Sequence, residues 1–195
     1  MYYVLQVTPG EEEKTEALIM AILPGDLYGE CFYLTKHMRK KFHKRWVDIQ
    51  EKLLPGYVFI ATENVKEVFL ELKRVPMLTN ILGRDGGSFS ELSMRDAKWL
   101  EKIKNVGVRN TIKNKGTGNI NKSWYEVGLS QVHVYEGNEI KIVSGPLKGI
   151  EGTVRKINLH KRIAEVEIQF IKRKIVIYLG IEMLESTCKI GECNE

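Results

Sequence analysis

Residues 136–156, EGNEIKIVSGPLKGIEGTVRK, constrain the fold more than any other stretch of the chain. Ile140 and Ile142 alternate with Glu139 and Lys141, the period-two pattern of a strand with one buried face. Gly145-Pro146 breaks the run, and Gly149 and Gly152 supply the permissive backbone of a sharp return. Alternation resumes from Thr153 to Ile157. It continues through Ala164, Val166, Ile168 and Phe170, and again through Ile175, Ile177 and Leu179, across a turn at Asn158–Arg162. Short strands spaced so evenly predict a small five-stranded β-barrel over residues 136–185, with residues 186–195 as a polar tail.

The first 105 residues read differently. Tyr2 to Val7 is an aromatic and β-branched run, a first strand. Thr8 and Glu11 stand at capping-box spacing around Pro9, and the glutamates that follow suit the positive end of a helix, whose apolar face is Leu18 and Ile22. Strands are expected at Tyr28–Leu34, Trp46–Lys52, Gly56–Thr62 and, shorter, at Thr79–Leu82 before a Gly83–Gly87 turn. Val65, Val68, Phe69 and Leu72 fall at helical spacing, and Ser93 with Asp96 caps a last helix striped by Met94, Ala97, Leu100 and Ile103. Strands and helices intermixed in this way predict an α+β domain, an antiparallel sheet with flanking helices, over residues 1–105. Residues 106–135 are rich in Gly, Asn, Lys and Ser and read as a linker.

Charge narrows the classes of function. The net charge is +5, a mild excess that suits contact with phosphate. Its distribution is uneven: residues 36–45, KHMRKKFHKR, contain no acid, whereas residues 10–30 are acid-rich. Three cysteines without a CxxC pair, and four histidines at no ligand spacing, exclude a disulfide framework and predict neither a metal nor another cofactor. No apolar run approaches the roughly 18 residues of a membrane span, and the start lacks a signal-peptide pattern. A soluble, cytoplasmic, monomeric protein is expected. Nothing resembles a Ser-His-Asp arrangement or a phosphate loop, so no enzymatic activity is expected.

The turn at Gly145–Gly152 resembles the KOW motif of SH3-like barrels. The run Leu53-Leu54-Pro55-Gly56-Tyr57-Val58-Phe59-Ile60, preceded by Tyr2-Tyr3-Val4 and followed by Arg74-Val75-Pro76, resembles the N-terminal domain of NusG-type transcription factors. Order and spacing match over nearly the whole chain. The resemblance implies binding to RNA polymerase, with an apolar depression packed on the clamp helices of the largest subunit, beside upstream DNA. Carried over by position, that contact falls on Tyr3, Leu54 and Tyr57. The basic stretch, with Lys36, Arg39, Lys40, Lys41, Lys44 and Arg45, lies where the family has a variable loop near DNA.

The barrel departs from the general family pattern. Gly145-Pro146-Leu147-Lys148-Gly149-Ile150 replaces both aromatics expected at that turn and adds a lysine, which weakens the expectation of ribosome or Rho binding. Lys148, Arg155, Lys156, Lys161, Arg162, Lys172, Arg173 and Lys174 form instead a candidate RNA-binding surface. The combination is most similar to the LoaP group of specialised antiterminators, which implies a nascent RNA hairpin as partner and read-through of terminators in selected operons. A general NusG-like elongation factor and a ribosome-associated KOW protein are the alternatives.

Overall fold

Alternating apolar residues on short strands can be buried only if helices or a second sheet cover them, and the chain uses both solutions. The computed structural model describes residues 1–73, 78–81, 91–113, 120–135, 139–150 and 153–184. Arg74-Val75-Pro76, the Gly83–Gly87 turn, Gly116 and Gly118, Gly152, the two C-terminal cysteines and the 186–195 tail lie outside them. The elements are β1 (Tyr2–Val7), α1 (Glu12–Ile22), β2 (Glu30–Phe42), β3 (Arg45–Lys52), β4 (Tyr57–Ala61), α2 (Val65–Leu72), β5 (Leu78–Ile81), α3 (Met94–Val106), β6 (Val108–Lys113) and β7 (Ile120–Val127). They continue with β8 (Ser130–Val134), β9 (Ile140–Ser144), β10 (Val154–Asn158), β11 (Ile163–Phe170) and β12 (Arg173–Leu184). The class is α+β, as expected. No helix among the described residues is long and apolar enough to cross a membrane.

The chain divides into two units, residues 1–35 with 52–126, and residues 36–51 with 127–195. The first is built on a sheet of order β5-β1-β4-β2-β7-β6, with β3 pairing off this path on β2. Antiparallel β1 and β4 set Tyr3 opposite Ile60 and Leu5 opposite Val58. That face packs with Ile19 and Leu23 of α1 and Val68 and Leu72 of α2 around buried Cys31. The other face carries Val4, Phe32, Phe59 and Tyr125. Phe32 stacks on Phe59 with centroids 5.4 Å apart and meets Tyr125 edge-on at 5.0 Å.

A lysine closes this aromatic face. Lys104 of α3 holds its ammonium 4.8 Å from the Tyr2 ring centroid and 5.2 Å from those of Phe32 and Tyr125. It also pairs with Glu30 and Glu101 and donates to the Tyr2 hydroxyl. The Tyr125 hydroxyl donates to Glu30 at 3.1 Å. Burial alone would depress the lysine pKa, but Glu30 and Tyr2 outweigh it and push it up. Glu30 moves down: burial opposes the move, and the bonds from Lys104 and Tyr2 overcome it.

The second unit contains a five-stranded sheet, order β10-β11-β12-β8-β9, around Val132, Leu147, Ala164, Val166, Ile168, Phe170, Ile177, Leu179 and Ile181. Its fifth strand, β8, comes from residues expected as linker. β6 and β7 occupy that stretch as well, and their register pairs Arg109 with Tyr125 and Asn110 with Trp124. Composition pointed to a linker because the polar residues there are many. Buried Ser123, Tyr125 and Val127 on β7, and buried Ser130 and Val132 on β8, recur at the period of a strand and override it.

Lys104→Met should lower stability by about 3 kcal/mol, because it strands the Glu30 carboxylate without its cation. Adding Glu30→Gln should recover most of the loss in urea denaturation, and a double mutant as unstable as the single would refute the pairing.

Glu16 of α1, fully buried, accepts from the Ser123 N–H at 2.7 Å, yet burial pushes its pKa up to about 8. Between the ordinary carboxyl value of 4.5 and about 8 the folded chain therefore keeps a proton that the unfolded chain has released. Stability should fall as pH rises through that window, by at most about 1.4 kcal/mol per pH unit. Denaturation at several pH values should show this slope in the parent and lose it in Glu16→Gln.

Candidate functional site

The Leu-Pro-Gly-Tyr turn before β4 is fixed from three sides. Leu53 N–H donates to Leu34 O at 2.9 Å and Val7 N–H to Gly56 O at 2.9 Å. Gly56 N–H donates to the Glu12 carboxylate at 2.6 Å, and Gly10 N–H reaches the same carboxylate at 3.0 Å. Gly56 sits at φ +82°, where a Cβ would lie 3.3 Å from both Val7 O and Pro9 Cγ. Glu12 was expected only to favour the helix end. α1 instead starts one residue beyond the Thr8–Glu11 box, without a side-chain cap, and Glu12 ties the turn to it.

The basic stretch 36–45, expected as a loop, is mostly the second half of β2. It turns into β3 at His43-Lys44, with φ of 46° and 66°. Two successive left-handed residues make the tight hairpin turn that matches strand twist, a turn normally given to Asn-Gly. Along the hairpin, acids answer the cations. Arg39 bonds Asp48 at 2.8 Å and Glu182 of β12 at 2.8 Å, and Lys40 bonds Glu51 at 2.5 Å. Lys36 is buried, 3.8 Å from Glu51 and 5.7 Å from the Tyr178 ring centroid. Burial lowers its pKa and Glu51 opposes the shift. Trp46 carries the Arg162 guanidinium 4.2 Å from its centroid, with Lys41 at 6.0 Å. The approach of hairpin to β12 depends on Gly180, where a Cβ would meet His37 O at 2.5 Å.

On the barrel, Arg155 and Lys174 share Glu167, each at 3.3 Å. A second tight turn, Ile171-Lys172 with φ of 50° and 58°, joins β11 to β12. Lys44, Arg45, Lys148, Lys156, Lys161, Lys172 and Arg173 are exposed and have no carboxylate partner among the described residues. The structure thus sorts the predicted cations. Lys36 is buried, and Arg39, Lys40, Arg155 and Lys174 are paired. Lys41 and Arg162 lie over Trp46, and the rest face outward, Lys156 from the middle of β10 and the others from turns and strand ends. Asp48, Glu51 and Glu167, the acids that do the sorting, were not singled out by sequence reasoning. Nothing in their local sequence marks them, since each meets its cation only through strand pairing. Among the described residues no group of three or more His, Cys, Asp or Glu is placed to hold a metal.

Residues 1–103 match the family model described as transcription termination factor NusG, more than half of the chain. The chain belongs to the NusG family. The transcription termination/antitermination protein NusG of Haemophilus influenzae is 22% identical over 188 residues, covering 94% of this chain and 92% of that protein. The protein of the same name from Neisseria meningitidis serogroup B is 19% identical over 188 residues, covering 94% and 96%. A solved structure described as domain interaction in Thermotoga maritima NusG aligns with TM-score 0.48 at 17% identity, over 92% of each chain.

Of the three positions carried over from the NusG resemblance, Tyr3 is 6% exposed and Leu54 4%. Both are core residues, because β1 alternation turns Tyr3 toward the helices and the Gly56 turn folds Leu54 inward. They present no surface to a partner. Tyr57 is half-buried and keeps an accessible edge. At the KOW-like turn Pro146 and Leu147 are buried, and Leu147 N–H donates to Ser130 Oγ at 3.0 Å. Lys148 is exposed there, between exposed Gly149 and the buried pair.

Replacing His43-Lys44 by Asn-Gly should relieve two left-handed residues, each costing about 1 kcal/mol. A rise of that order in thermal or urea stability is expected, and an unchanged or lower stability would show that the tip is not strained.

Proposed function

We propose that this NusG-family chain is a processive transcription antiterminator most like the LoaP group. It rides on RNA polymerase through its first unit and holds a leader RNA hairpin through the basic surface of its second. The observation that carries the reading is the set of exposed, unpaired cations at the turns of the second unit, above all Lys172 and Arg173 beside the strained Ile171-Lys172 turn. Left-handed β-branched backbone is rare and persists where surrounding structure enforces it, often at sites of recognition. Duplex RNA offers phosphates and shape more readily than base edges, and cations on projecting turns fit that chemistry.

The polymerase contact, placed on the clamp helices of the largest subunit, rests on Tyr57, with buried Leu54 in the turn before it and Tyr3 in the core on the opposite face of the sheet. Upstream DNA would meet the hairpin tip at Lys44 and Arg45, and Lys41 beside Trp46, more than the paired Arg39 and Lys40 or the buried Lys36. The relatives' printed names, termination/antitermination, agree with a transcriptional role. The protein would act as a monomer.

Changing Lys172, Arg173 and Lys174 together to Ala should weaken binding of a leader hairpin. Lys174 already pairs with Glu167, so the slope of log affinity against log salt should fall by about 2 and not 3. Read-through of a terminator by purified polymerase with the leader in place should drop in parallel. Unchanged binding and slope would remove the RNA site from this surface. Co-sedimentation with ribosomal subunits in place of polymerase would favour the ribosome-associated reading.

A further inference from the structure

The five-stranded sheet of the second unit has two ends, β10 and β9. Where those edges come together lies a cleft of about 630 Å³, within the size range of small-ligand sites. Its apolar wall is Ile140 of β9, Ile157 of β10, Leu159 and Met183 of β12. Its polar members are Lys156, Asn158 and His160. Among the described residues no carboxylate lines it, and Lys161 follows in sequence.

We infer that this cleft takes one unpaired nucleotide carrying a keto base, guanine or uracil, of the RNA that the second unit binds; the inference rests on the RNA-binding reading above. Four aliphatic and thioether side chains offer a base a desolvated stacking surface, which is sequence-tolerant by itself. Selectivity comes from the polar set. The Asn158 side-chain oxygen accepts from Lys161 N–H at 2.9 Å, which leaves the amide N–H₂ as the group that can meet a ligand. The Lys156 ammonium offers donors and no acceptor. Donors facing the ligand match the O6/N7 edge of guanine or the carbonyls of uracil, and reject the exocyclic amine of adenine. The exposed Lys156 and the neighbouring Lys161 suit the phosphate of the same nucleotide. A peptide strand added to the open edges is the competing occupant, and a cationic rim without an acid favours the polyanion.

The test uses the full chain and one RNA stem carrying a loop of uridines, of adenosines or of abasic residues, at fixed salt. The uridine loop should bind about tenfold more tightly than the abasic loop and several-fold more tightly than the adenosine loop. Asn158→Asp keeps the acceptor for Lys161 N–H but removes the donors, and should abolish the uridine preference. Any general loss from the added charge shows equally on the abasic loop. Methyl NMR gives a readout independent of any variant: Ile140, Ile157, Leu159 and Met183 should shift with the uridine loop and stay in place with the abasic one. Salt-sensitive binding of all three loops with equal affinity, or methyl shifts identical for all, overturns this inference while leaving the RNA-binding surface intact. Absence of binding to any of the stems overturns both.

Discussion

The first unit depends on a lysine taken out of water. Lys104 lies over Tyr2, Phe32 and Tyr125 and bonds Glu30 and Glu101, so α3, β1, β2 and β7 converge on one ammonium. Desolvating a cation is unfavourable by several kcal/mol unless the surroundings replace the lost hydration. Here a carboxylate, a phenol and three π-faces replace it together. An apolar residue at position 104 would bury as well but would accept many rotations of α3. The lysine accepts one, in which its ammonium reaches Glu30. With α3 fixed, the aromatic face of the sheet is sealed, and the opposite face is left to α1 and α2. Residues 108–127 then have a settled edge on which to form β6 and β7.

The second unit handles charge in the opposite way. Its hairpin and barrel carry many cations, and the ladder acids Asp48, Glu51, Glu167 and Glu182 neutralise those that lie flat on the strands. Exposed pairs of this kind contribute little to stability, about 0–1 kcal/mol each. Their effect is to leave most of the uncompensated positive charge on turns and strand ends, His43-Lys44-Arg45, Lys148, Lys161 and Lys172-Arg173, with Lys156 in the middle of β10 the exception. Three of those turns use left-handed non-glycine residues, His43-Lys44, Arg162 and Ile171-Lys172. Side chains on projecting turns reach a phosphate backbone without sheet and ligand colliding, which a flat basic strand would not allow.

Elements with strong periodicity were legible in the sequence. α2 and α3, the Ser93 cap whose Oγ accepts from Asp96 N–H at 3.2 Å, and strands β4, β10 and β11 follow from spacing alone. Two kinds of feature were not. β2 continues from Leu34 through Phe42 because its charged residues find partners on β3 and β12, a long-range condition invisible in a run of like charges. β6 to β8 were hidden by the Gly, Asn, Lys and Ser spread through residues 106–135, although every second residue from Ser123 to Val127 is buried. For the site, residue type was legible and accessibility was not. A lysine in a basic run reads the same whether it is buried like Lys36 or projects like Lys44.

The Leu-Pro-Gly-Tyr run shows why a recognisable motif need not be a contact surface. Gly56 alone fits φ +82° between Val7 and Pro9, and its N–H is the one that Glu12 holds. Leu53 and Leu54 turn inward because Leu53 N–H is already bonded to Leu34. Their burial makes the turn rigid, and rigidity is what a half-exposed side chain such as Tyr57 needs to offer a fixed apolar edge at low entropic cost. The motif therefore acts through geometry. Its buried members set where β4 begins, and β4 sets which face Tyr57 shares with Phe59, so the part of the tyrosine left accessible is held in a fixed position.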